Sequence, residues 1–136
     1  MMHESRDFIH KLMTVERAIA AEKGDFVLFA LVQRAEGIGL WDLLISAPWL
    51  GTKEAEILDF FARKLKETLT TDELMRLSRI VLFPPDDQRV QQILQLVKPS
   101  VNHGHVELSS WALSSMPISH AHILTAAEPQ VSQTVT

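Results

Sequence analysis

Apolar residues recur along the chain in two periods, and the switches between them divide it into alternating helices and strands. Phe8, Leu12, Val15 and Ile19 fall four, three and four apart, which makes one stripe of a helix over residues 4–22. Gly24 follows as a C′ residue, and Lys23 stands near the negative end of the helix dipole. From residue 26 the period becomes two, with both parities apolar: Phe26, Leu28, Ala30 and Val32 on one side, Val27, Phe29 and Leu31 on the other. Such a strand needs cover on both faces and belongs inside a sheet. Gly37 and Gly39 mark the turn to a second strand. There Trp41, Leu43, Ile45 and Ala47 share one face, and Asp42, Leu44 and Ser46 the other.

Pro48 and Gly51 stop the second strand, and Thr52 stands where it can cap the next helix. Ile57, Phe61 and Leu65, with Leu58, Ala62 and Leu69 beside them, carry that helix to about residue 69. Thr70-Thr71-Asp72-Glu73 matches a capping box, so a short helix over 72–78 follows. Ile80 to Phe83 reads as a short buried strand ended by Pro84-Pro85. Asp86 or Asp87 then caps a helix with Val90, Ile93, Leu94 and Val97 on its apolar face, closed by Pro99. Residues 105–113 and 117–127 read as a hairpin turning at Ser114 to Pro117, and 129–136 as a flexible polar tail.

The order is therefore α-β-β-α-α-β-α-β-β, an α+β fold in one domain over 1–128. It has about five strands in a mixed, mostly antiparallel sheet with helices packed on it. The long helix between the second and third strands lets those two run parallel. The number of helices leaves room for a partner subunit to complete one face of the sheet.

Composition narrows the functional classes. The 136 residues include no cysteine, which removes disulfides, thiolate metal sites and cysteine nucleophiles together. A net charge of −4 argues against nucleic acid, which selects a basic excess. The local cluster Arg63, Lys64, Lys66 is interleaved with Glu54, Glu56, Asp59 and Glu67, a mixed solvated face. The N-terminus lacks the apolar stretch of a signal peptide, and no apolar run reaches the roughly 18–20 residues of a membrane span. The expectation is a soluble, cytoplasmic protein with no membrane association.

Three constellations can carry chemistry. His103-Gly104-His105 and His120-Ala121-His122 are two His-x-His pairs, and residues two apart on a strand share a face, a familiar way to hold zinc or another transition metal. A turn at 114–117 sets Ser109 opposite His122 and His105 opposite Ala126, which keeps the two pairs apart. A two-histidine site completed by Glu107 or by a second subunit remains, beside the plainer reading of polar strand residues. The second constellation is the rim where the second and third strands end, with Trp49, Thr52, Asp86 and Asp87 as ligand-binding candidates. Its plainer reading is helix caps and a packed indole. The third is Trp41-Asp42 with Trp111, where Asp42 reads as a strand-start residue bonded to a backbone N–H or an arginine. No Gly-x-Gly-x-x-Gly, Walker or Gly-x-Ser-x-Gly pattern occurs, so neither a nucleotide phosphate nor a serine nucleophile elbow is expected, and the sequence leaves the cofactor unknown.

Two function classes follow. One is a non-enzymatic homodimeric binding or assembly module open to a protein partner, with the C-terminal hairpin as its expected contact. The other is a metal-dependent hydrolase using the hairpin histidines, with a small-ligand sensor at the rim as a further alternative.

Overall fold

The first apolar stripe folds as α1 (Met2–Lys23), and its residues Phe8, Leu12, Val15 and Ile19 are all buried. The computed structural model describes the backbone of residues 2–34, 40–97, 106–113 and 116–126, and the side chains of 7–34, 40–96 and 117–126. After α1 come β1 (Leu28–Arg34), β2 (Trp41–Ser46), α2 (Glu54–Thr68), α3 (Thr71–Met75), β3 (Leu77–Phe83), α4 (Gln88–Val97), β4 (Val106–Leu113) and β5 (Met116–Ala126). The fold is α+β with a mixed sheet, in the order β3-β2-β1-β5-β4. β1 pairs antiparallel with both β2 and β5, β4 pairs antiparallel with β5, and β2 pairs parallel with β3 across the α2–α3 crossover.

β1 is the middle strand, which is why both of its parities are apolar. Phe29 and Leu31 join Leu43, Ile45 and Leu124 under α1 and α2, which contribute Leu12, Ile19, Phe61 and Leu65. Leu28, Ala30 and Val32 join Leu44, Phe83, Ile118, Ala121 and Ile123 under α4, which contributes Val90, Ile93 and Leu94. Among the described residues, both faces of β1 and β2 lie under helices, where the helix count left room for a partner subunit on one face. α4 packs there with residues of β1, β2, β3 and β5 in one cluster, which also includes the small Ala30 and Ala121.

Several boundaries differ from the sequence reading. Phe26 sides with the α1/α2 layer, because the strand begins only at Leu28 and the chain bends at residue 27. α3 ends at Met75, and β3 starts three residues earlier than expected, at Leu77. Its Thr70–Glu73 capping box forms as read, with Glu73 N–H to Thr70 Oγ1 at 3.2 Å and Thr70 N–H to Glu73 Oε1 at 2.9 Å. Thr52 does not cap α2; Lys53 holds the N-cap position, with no side-chain cap bond. The hairpin register also moves. Glu107, not Ser109, pairs with His122, and Ser109 pairs with His120. The strands continue to Leu113 and Met116, so the loop is two residues rather than four. Pro117 is tolerated because it lies beyond the last β1 pair, Arg34 with Ile118, where its missing N–H takes nothing from β1.

Candidate functional site

Pairing Ser46 with Phe83 brings the C-terminal ends of the parallel strands side by side, so the expected rim exists as a place. Its candidate residues are engaged differently. Trp49 Nε1–H donates to Gly24 O at 2.9 Å and to Asp25 O at 3.1 Å, while its ring lies edge-on to Phe26 at 5.3 Å. The indole thus ties the β2–α2 loop to the end of α1. Gly24 is needed there: its φ is +127°, and a Cβ would stand 3.0 Å from Trp49 Cδ1. Thr52 and Asp86 are exposed. Asp87 accepts from Arg89 N–H at 2.8 Å, Nε at 3.0 Å and Nη2 at 3.0 Å, and the guanidinium lies over the Phe83 ring. The Arg89 hydrogen bonds outweigh partial burial and hold the Asp87 carboxyl below the usual aspartate range.

Between these loops, Ser46 presents an unusual feature. Its hydroxyl is fully buried beside Leu28 and Phe83, and it has no hydrogen-bond partner among the described residues. A buried hydroxyl in that state is a cost to the fold.

At the opposite end of the sheet Asp42 is bound by arginines, as its strand-start position implies. It is 3% exposed, and its Oδ2 receives Arg34 Nε at 3.2 Å and Arg79 Nε at 3.1 Å. One carboxylate thereby clasps the ends of β1, β2 and β3. Trp41 N–H donates to Arg76 O at 2.8 Å, which joins the same end to α3.

The histidines divide. His103 and His105 lie outside the described residues, and Glu107 and Trp111 are described by backbone alone. His120 is exposed and His122 half-buried, its ring 5.4 Å from that of Trp41. Among the described side chains no group of three His, Asp or Glu stands ready to hold a metal ion.

Two carboxylates outside the three candidate constellations prove to be buried, Glu73 and Glu16. Glu73 both closes its capping box and meets Lys11 at 3.0 Å. Burial raises its pKa, but the Thr70 N–H and Lys11 overcome that and leave it lowered. Glu16 accepts a hydrogen bond from the Thr125 hydroxyl across the α1–β5 contact. Burial pushes its pKa above the usual glutamate value, against the opposing pull of that bond and of Arg17. A signal for Glu16 was available: it stands four residues after Leu12 and three before Ile19, inside the apolar stripe.

Among the described residues no helix is long and apolar enough to cross a membrane. Comparison of the chain with protein-family models, with curated proteins and with solved structures yields no match to any of them.

Proposed function

We propose that the chain is a non-enzymatic binding and assembly module that works as a homodimer, joined edge to edge through β3. The observation that carries this reading is the burial of β3 itself. Ile80, Val81 and Leu82 are consecutive aliphatic residues that are only half-buried, whereas Leu43, Leu44 and Ile45 on the adjoining strand are 0%, 3% and 0% exposed. β3 is also the last strand on its side of the sheet. An apolar edge strand without a blocking proline or lysine is a template for another strand.

Two further residues support the same surface. Met75 and Leu40, 70% and 45% exposed, immediately precede Arg76 and Trp41, the residues whose backbones are bonded at the start of β3. Tryptophan, methionine and arginine are enriched at interface cores. A second copy satisfies the edge with the same strand about a two-fold axis, the commonest symmetry of soluble oligomers. Among the described residues both faces of the central strands β1 and β2 are already covered by helices, which favours edge pairing over sheet-on-sheet packing. The buried carboxylates Asp42 and Glu73 are occupied by ion pairs and a cap, in keeping with a binding role.

Sedimentation equilibrium from about 1 to about 100 μM covers the range of micromolar interfaces. The expected species is twice the 15.4 kDa chain. Met75→Lys and Leu40→Lys alter exposed side chains and are expected to weaken the dimer about tenfold or more while leaving the fold intact. A monomer throughout that range overturns the reading. So does a dimer in which β3 amides exchange with solvent no more slowly than in dilute monomer.

A further inference from the structure

We propose that α2 forms a second layer of the homodimer, packing against its own copy across the two-fold axis that joins the β3 strands. The inference rests on edge pairing through β3 and deepens it by naming the residues that meet above the paired edges.

The first support is the position of α2. Its Phe61 and Leu65 cluster with Leu43 and Ile45 of β2, and Ile80 and Leu82 of β3 pack against the same cluster. The helix therefore lies over the β2–β3 pair. α1 lies on its inner side, where Glu16 meets Thr125 of β5. Neighbouring strands are about 4.7–4.9 Å apart, so an axis centred over β2 and β3 stands about one strand spacing from a dyad beside β3. Antiparallel pairing in one continuous sheet keeps α2 and its copy on the same face. The two axes then come about 10 Å apart, within the separation of packed helices.

The second support is the outer flank of α2. At about 100° per residue, Phe60 and Lys64 lie roughly 100° and 60° to one side of the buried Phe61. Leu58 and Ala62 lie roughly 60° and 100° to the other. The first side faces α1: Lys64 Nζ reaches Glu22 at 3.2 Å, and Lys23 stands over the Phe60 ring. The second side faces the β3 edge. There Leu58 and Ala62 are only half-buried, while Phe61 and Leu65 are 0% and 2% exposed. Ala62 projects sideways toward the dyad, and its small side chain admits a close approach.

The third support is charge. Asp59 and Lys66 stand one turn before and one turn after Ala62, at the solvent edge of the same flank. Both are exposed; Asp59 meets Arg63 at 3.2 Å, and Lys66 has no ion-pair partner among the described residues. A dyad at Ala62 runs the helices antiparallel and brings Asp59 level with residues 65 and 66 of the second copy. Opposite charges then meet twice, once on each side of the axis. The seven residues of β3 alone make a narrow seam, whereas stable interfaces bury about 1,200–2,000 Å² in total. α2 supplies the second seam.

The chain has no cysteine, so Ala62→Cys places one thiol per subunit beside the dyad. Helix Cα atoms lie about 2.3 Å from their axis, so the two facing Cα atoms stand about 5–6 Å apart, within reach of a disulfide. Oxidation at about 100 μM should yield a covalent dimer on non-reducing gels, and Glu67→Cys, exposed away from the β3 edge, should not. Asp59→Lys and Lys66→Asp should each weaken the dimer about fivefold or more in sedimentation equilibrium, and the double variant should recover most of the loss. Consider a dimer with protected β3 amides in which Ala62→Cys cross-links no better than Glu67→Cys, or in which both single charge variants stay as tight as wild type. Either result overturns the helix layer and leaves the strand pairing standing. A cross-link without protection of β3, or a monomer throughout, overturns both.

Discussion

Replacing Glu16 with glutamine should change how the stability of this protein depends on pH, and the sign follows from burial. Glu16 is 9% exposed on the sheet-facing side of α1, and its carboxyl meets the Thr125 hydroxyl. Burial raises its pKa; the Thr125 bond and Arg17 oppose the rise, and Asp25 adds to it. Between the unfolded glutamate value of about 4.3 and the raised folded value, the native state holds a proton that the unfolded chain has released. Stability from this group is therefore complete below the unfolded pKa and is lost as pH rises through the folded one. For a single proton the slope can reach about 1.4 kcal/mol per pH unit within that window.

Glu16→Gln keeps a side-chain carbonyl for the Thr125 hydroxyl and removes the titration. Urea unfolding of both proteins at steps from about pH 4 to about pH 8 measures the difference directly. The variant's advantage should be smallest at the acid end, grow through the window, and then level off. Glu73 and Asp87, with lowered pKa values, contribute stability that is lost on acidification, but they are common to both proteins and cancel in the difference. A difference that stays flat with pH, or that turns against the variant as pH rises, would refute burial as the cause.

Two further outcomes can be checked in the same unfolding assay. Ser46→Ala removes a hydroxyl that is 0% exposed and unpartnered, so it should stabilise the protein by about 1 kcal/mol; a loss of similar size would mean that the hydroxyl is bonded. Asp87→Ala removes the acceptor for Arg89 N–H at the start of α4 and should cost about 1 kcal/mol near neutral pH. That penalty should shrink as pH falls through the lowered Asp87 pKa and the native carboxylate is protonated.

Much of this architecture is legible in short windows of sequence because the forces behind it act over a few residues. The Phe8–Ile19 stripe, the two-sided apolar run of β1 and the Thr70–Glu73 capping box each announce their element. Each depends on spacings of two, three or four positions. Asp42 could be assigned a backbone N–H or an arginine as partner, because a carboxylate starting a strand between apolar neighbours must find a donor, and the fold supplies arginines. The same local logic misplaced Thr52, which resembles a cap but is exposed one position before Lys53, the N-cap of α2.

What only the tertiary structure decided involves contacts between distant segments. α4 packs Val90, Ile93 and Leu94 on Leu28, Ala30, Leu44, Ala121 and Ile123, residues of separate strands that no local window brings together. Glu16 acquires its raised pKa from burial against β5, where Thr125 lies 109 residues away in sequence. Trp49 reads first as a packed indole and second as a ligand platform; its actual partner, the Gly24 carbonyl that accepts its N–H, lies 25 residues earlier. Glu107 comes opposite His122 only once the loop closes in two residues, since a shift of register leaves the alternation of each strand unchanged. Hydrophobic period dictates which face a residue takes. Which residue it meets there depends on long-range packing and loop closure, which no local window contains.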